Sequence, residues 1–474
     1  MAPPVAPPEF PEPALPFDPD LAAIRFGTGL SPAIPPPASA AEMMGRLLGP
    51  DEAAWRLPIA PYVEAAPALA AYADASRRRR RGTPAERARA QGEVDGLNRA
   101  AEARRVSDAL RVLLRNATAT DALRERLVLF WADHFTTVAR NRVQGQLVQP
   151  FVEEAIRPRI AGPFADLLVA VELHPVMLTY LDQPASVGPG SRVGRGRGRG
   201  LNENLARELL ELHTLGVGGP YGQGDVRELA ELLTGLGADG AGALSFRPER
   251  AEPGAETVLG VTYPEEAALG TVEAALRGIA AHPATALHIA RKMAVHFVAD
   301  RPDEGLVADM ADAFRATGGD LAAVTAAMLD HPASWAGPRA KVKPPVGFLA
   351  SSLRALAVPE ERLLRWSTRE VRRSLLNPLG VMGQPWQAPG GPDGWPEEAE
   401  AWVTPQFMAA RIDWAMNRPE EMLAGTPGLP DPRGFARAAL GRLAGEEVLF
   451  AARAAERPSE GVGVVLASPD FQRR

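Results

Sequence analysis

The sequence predicts an all-α protein, a large multi-helix array in one chain with a small β-hairpin-like insertion near residues 242–263. Three observations point there. Apolar residues recur at helical spacing along most of the chain. Helix-start signals precede several of those stretches. The best hairpin-like stretch is GALSFRPERAEPGAETVLGVTY, residues 242–263, whose β-rich ends flank a Pro/Gly turn.

The elements follow in order. Residues 1–17, MAPPVAPPEFPEPALPF, read as a disordered Pro-rich leader with neither the cationic start nor the apolar core of a signal peptide. A helix is expected over 39–48. Thr83, Pro84 and Glu86 form a capping box that opens a long helix. Helical spacing continues over 121–135, 163–174 and 283–298, and further helices are expected at 265–280, 305–317, 319–330, 345–356, 368–376, 399–417 and 433–455. Residues 186–200, SVGPGSRVGRGRGRG, read as a flexible Arg/Gly loop. The organisation expected is one helical domain over 18–472, with lobes at roughly 18–185, 201–300 and 301–472.

Composition narrows the function classes. The chain is 46% hydrophobic and 23% charged, enough to bury a large core. No apolar run reaches the ~20 residues that span a bilayer, so no membrane role is expected. With no cysteine, disulfides, thiolate metal sites and a cysteine nucleophile are excluded. A net charge of −6 argues against nucleic acid as a partner, despite RRRRR at 77–81. The missing signal segment favours the cytoplasm and leaves export open. Among 52 basic residues only three are lysine, Lys292, Lys341 and Lys343. Where arginine is so strongly preferred, a retained lysine marks either chance or a place that needs a compact ammonium.

The densest polar stretch is LNENLARELLELHTLGV, residues 201–217. With Asn202 as N-cap and Gly216 just past the end, Asn204, Arg207, Glu208 and Glu211 share one helix face, with Glu203 at its margin. Leu205, Leu209 and Leu212 form the other, and His213 lies beyond them. Glu208 and Glu211 can converge on a proton or cation, but Glu203–Arg207 and Arg207–Glu211 are also ordinary i,i+4 pairs, and wheel geometry alone favours a salt-bridged face. On 121–135, His134 shares the apolar face with Leu127, Trp131 and Phe135, so it is expected to be buried, paired either with a carboxylate or with backbone. On 283–298, His288, Lys292 and His296 form a cationic stripe opposite Ile289, Met293 and Phe297. It could meet the acidic helix in a partly buried ionic seam, provided every charge is paired.

LAAIRFGTG, FWADHF, the long NENLARELLELHTLGVGGPYGQGDVRELAELLTG, HPATALHIARKMAVHFVAD and GQPWQAPGGPDGWP together resemble a bacterial family known as domain of unknown function 1800, from about residue 20 to 450. The resemblance implies a mostly helical protein and carries no activity with it. Its motifs fall on Trp131, His134, Asn204, Arg207, Glu208, Glu211, His213, Lys292, Lys343 and Trp395, which shifts the dense helix toward a buried polar centre. Members are often encoded beside a sulfatase-like family, which implies a protein partner of that kind. Where the family commonly has a His-Asp pair and a following Lys, this chain has Ala251, Glu252 and Glu256.

Two functions result. One is an acid/base or metal-assisted, hydrolase-like enzyme. Glu208 and Glu211 would be its carboxylate pair, His134 the proton carrier or ligand, and Arg207 and Lys292 the stabilisers of negative charge. Asn204, His213, Glu203, Trp131 and Trp395 would bind; metal and cofactor are left unknown. The other is an accessory or scaffold protein for a sulfatase-like partner, its polar centre purely structural, with Trp386, Trp395, Trp402 and Trp414 as interface anchors or core.

Overall fold

Capping chemistry sets the helix starts where the spacing places them. Thr83 accepts from Glu86 N and Glu86 reaches back to Thr83 N, opening a 35-residue helix, Pro84–Thr118. Asp121 caps Ala122–His134, and His282 caps Pro283–Phe297 with Pro283 at the first position. The computed structural model describes residues 17–197, 200–239, 242–265 and 268–474. The expected Pro-rich leader lies outside them except Phe17, whose ring rests 4.9 Å from Trp335. Two residues of the Arg/Gly loop also lie outside. The rest of that loop is tied to the chain after the first hairpin by Gly188 N to Arg250 O and Gly190 N to the Glu252 carboxylate.

The fold is an all-α array, and two apolar cores hold it together. The first joins Ala122–His134, Phe164–Glu172, Pro283–Phe297, Glu304–Thr317 and Leu321–Asp330 around Trp131, Phe135, Phe164 and Phe297. The second packs Val106, Leu110 and Leu113 of the long helix against Pro345–Ala355, Pro405–Asn417 and Pro458–Ala467, with Trp414 inside. Each fully enclosed aromatic contributes about 2–3 kcal/mol. No helix among the described residues is long and apolar enough to cross a membrane.

Several details differ from the spacing, and the helix expected over 399–417 starts at Pro405, after a single turn at Ala399–Ala401. The insertion is two hairpins: Leu236–Ala238 pairs with Leu244–Phe246, and Glu256–Val258 with Val261–Tyr263. The second closes on Leu259 and Gly260, both at positive φ (51° and 78°), the two-residue turn that suits strand twist. The helix expected over 433–455 is broken into Pro432–Leu440 and Glu446–Ala454, because Gly441 turns the chain at φ 57°.

Candidate functional site

The dense polar helix begins later and winds differently than its sequence suggests. Asn202 accepts from Asn204 N, one step ahead of the true cap, and Asn204–Glu208 runs on into a π-helical stretch, Leu209–Thr214. Leu215 N bonds to Leu210 O at 3.0 Å, five residues back, while the Thr214 hydroxyl satisfies Leu209 O at 2.6 Å. The carbonyls of Leu212 and His213, orphaned at the helix end, take their donors from two other helices. His288 Nε2 lies 3.1 Å from Leu212 O and His134 Nε2 lies 3.2 Å from His213 O. A carbonyl only accepts, so both imidazoles carry their proton on Nε2.

His134 is buried as expected, and its partner is backbone. Trp131 and Phe135 enclose the ring edge-on at 5.2 and 4.5 Å, with His213 and His288 near 6 Å. Burial, reinforced by Lys292, holds the His134 imidazole well below its ordinary range. Burial and Lys292 likewise bring His288 down to about 4. Both are neutral at physiological pH. On the polar helix itself, His213 meets a carboxylate, its Nδ1 2.6 Å from Glu172 Oε1 in the interior.

The other face of the polar helix is a partly exposed ladder. Arg207 bridges Glu203 and Glu211, each at 3.1 Å, and reaches Gln223 at 3.0 Å. Asn204 is exposed and Glu208 half-buried, its carboxyl raised by burial and by Glu211 against the pull of His213. Glu208 and Glu211 therefore do not meet the cationic stripe. The carboxylates acting on Lys292 are Asp133, Glu397 and Asp393, and burial still leaves its ammonium below the ordinary lysine range.

Those residues lead to a cleft of about 1130 Å³ with its open mouth included. Asp133 and Glu397 both line it, with Trp386, Trp395, Thr137 and Gln387. Asp133 ends the helix that carries His134, and both its oxygens accept from Trp395 N at 3.1 and 3.2 Å. Gly394 permits that approach: it sits at φ 83°, and a Cβ there would come within 2.8 Å of Asp133 O. Burial pushes the Asp133 carboxyl up to about 7, past the opposing pull of the Trp395 amide and Lys292.

Glu397 is treated oppositely. Burial alone would raise it, but His296 and Lys341 hold it well below the usual carboxylate range. His296 Nδ1 lies 2.5 Å from Oε1, and Lys341 Nζ donates to Oε2 at 2.9 Å, to Glu397 O at 2.7 Å and to Asp300 at 2.8 Å. Arg126 can only donate, so at 3.1 Å it fixes His296 Nε2 as acceptor and Nδ1 as the proton donor to Glu397. One cleft thus holds a carboxyl that keeps its proton to neutrality and one that stays ionised.

Of the residues expected from sequence, His134 and Lys292 come together behind this cleft and Trp395 lines it. Trp131 is core. Asp133 and Glu397 are not among the expected site residues, whereas His296 is expected on the cationic stripe, Lys341 among the retained lysines and Trp386 among the interface tryptophans. Asp133 lies inside FWADHF, Glu397 directly follows GWP, and Lys341 belongs to the lysine trio. Trp402 and Trp414 are buried, and Trp386 and Trp395 half-buried.

Elsewhere, Glu228, Glu231 and Glu256 bring carboxylate oxygens within 4.8 Å of one another. Burial and a hydrogen bond that protonated Glu256 donates to Glu228 push its carboxyl up to about 8. This is the position where a lysine was expected from the resemblance, and an acid there meets two others.

The family described as "Protein of unknown function (DUF1800)" matches residues 28–473. No curated protein and no solved structure matches the chain.

Proposed function

The chain belongs to the DUF1800 family, and we propose that it works as an acid/base enzyme of hydrolase-like type, with Asp133 as proton donor and Glu397 as the fixed anion of the same cleft. One observation carries the reading: two carboxyls line one cavity in opposed environments, one against Trp395 and the other saturated by an imidazole and an ammonium. Surroundings that push the proton affinities of neighbouring carboxyls so far apart assign the acid and the anion.

Protonated Asp133 gives its proton to the leaving atom as the scissile bond breaks. Water adds to the reacting carbon and returns a proton to Asp133, so one water is consumed per bond. Lys292 steadies the transient Asp133 carboxylate, and Glu397 faces positive charge that develops in the transition state. His296 and Lys341 keep Glu397 ionised and in place. A metal-assisted variant would draw on Glu228, Glu231 and Glu256, none of which lines the cleft.

Chromogenic esters, glycosides and phosphates test the proposal across pH. The expected result is turnover of one class, with a rate that falls as pH rises through about 7 while the donor loses its proton. Asp133→Asn should lower that rate by at least about a hundredfold. Turnover unchanged in Asp133→Asn would refute the assignment.

A further inference from the structure

We propose that this cleft binds a neutral glycan, stacking its sugar rings on Trp386 and Trp395 and meeting its hydroxyls with Thr137, Gln387 and the Trp386 indole N–H. The proposal deepens the acid/base reading and rests on it for the chemistry, but not for the binding.

Three features select this ligand. First, Trp386 and Trp395 are half-buried in the cleft wall, whereas Trp402 behind Trp395 is enclosed and packs at 6.2 Å from it. A sugar ring has flat C–H faces that suit such aromatic surfaces and a rim of hydroxyls that needs partners. Second, four groups of the lining have no partner among the described residues: Thr137 Oγ1, Trp386 Nε1, Gln387 Oε1 and Arg474 Nε. Buried polar atoms carry a cost until they are paired. These comprise two N–H donors, an acceptor and a hydroxyl that is both, and sugar hydroxyls answer all of them. Third, the cations of the cleft floor are already committed. Arg126 holds Gly27 O and His296, Arg474 lies 3.8 Å from Glu397 Oε2, and Lys341 holds Glu397 and Asp300. An anionic ligand would have to compete with Glu397 for Arg474 and Lys341, and walls such as Val148 and Val152 would disfavour its charge.

Under the acid/base reading, the opposed surroundings of Asp133 and Glu397 fit the same ligand, since glycosidic bonds are broken between one protonated and one ionised carboxyl.

Full-length Asp133→Asn protein, which retains the cleft and blocks turnover, is titrated by calorimetry and tryptophan fluorescence with cellohexaose, maltohexaose and chitohexaose. At least one should bind at millimolar concentration or below. Trp386→Ala should weaken that binding by about tenfold or more, and Thr137→Val by about fivefold to tenfold. Trp386→Phe keeps an aromatic ring in the wall while removing the N–H and part of the indole face, so a several-fold loss there in folded protein guards against a merely unfolded alanine variant. The proposal is overturned if none of the three oligosaccharides binds, or if binding is indifferent to Trp386 and Thr137. It is also overturned if polygalacturonate or an N-acetylated neutral hexapeptide binds in their place. Glycan binding by wild-type protein without cleavage at any pH would leave this inference standing and remove the acid/base reading. Hydrolysis of another substrate class without glycan binding would do the reverse.

Discussion

Replacing Lys341 by methionine tests the ionic floor of the cleft. The lysine is fully buried, and its ammonium donates to Asp300 at 2.8 Å, Glu397 Oε2 at 2.9 Å and Glu397 O at 2.7 Å. Methionine matches the stem in length and removes only the charge and donors. Deleting one member of a buried ionic group leaves the others unpaired, a cost of about 3–5 kcal/mol. Asp300 and Glu397 remain 29% and 26% exposed, so water partly compensates them and the lower end applies, about 3 kcal/mol. Glu397 also keeps His296. Equilibrium urea unfolding of Lys341→Met, Glu397→Gln and the double variant reads the coupling, expected at about 1.5–3 kcal/mol. Lys341→Arg keeps the charge but forces a planar fork into a closed site, and should cost about 1–3 kcal/mol through overpacking. A loss below about 1 kcal/mol in Lys341→Met, or an arginine accepted without loss, would refute the view that this position requires a compact ammonium.

Three further outcomes are expected. Asp133→Asn should stabilise the protein at alkaline pH. The folded carboxyl is raised to about 7, so its favourable contribution is complete below the unfolded value and is lost as pH rises through about 7. After discounting for its partial exposure, the gain over wild type at pH 8 is about 1–2 kcal/mol by urea unfolding, and equal stabilities at pH 8 would contradict it. Glu256→Lys should raise Tm, more at pH 9 than at pH 6. The raised Glu256 carboxyl loses its stabilising proton as pH rises through about 8, whereas a lysine gains Glu228 and Glu231 as partners; a lower Tm at both pH values would count against the acidic crowding. His134→Leu should cost about 2–3 kcal/mol by leaving His213 O without a donor in the interior. A neutral effect would mean that this carbonyl finds another partner.

Much of the fold was legible in sequence because it rests on local chemistry. Capping residues such as Thr83, Asp121 and His282, and apolar spacing on the flanking helices, act within a few residues of where they stand. The same spacing put His134 inside and Ile289, Met293 and Phe297 in the core. The three retained lysines, read as chance or as a need for a compact ammonium, all sit inward: Lys341 and Lys343 are buried and Lys292 is half-buried. The π-turn at Leu209–Thr214 was not legible, since a wheel at fixed pitch has no way to register one extra residue in a turn.

The sequence alone thus determined which segments are helical, which faces turn inward and which family the chain resembles. Tertiary structure decided the site. Asp133 and Glu397 lie far apart along the chain, and each could have been an ordinary surface acid. What separates them is the surroundings that folding supplies, Trp395 and burial for one, His296 and Lys341 for the other. The same holds for Glu208 and Glu211, which share a helix face yet remain beside Arg207, because the packing of the array turns the cationic stripe toward other carboxylates. Proton affinity depends on solvent exclusion and on charges a few ångströms away, and neither is set before distant segments pack.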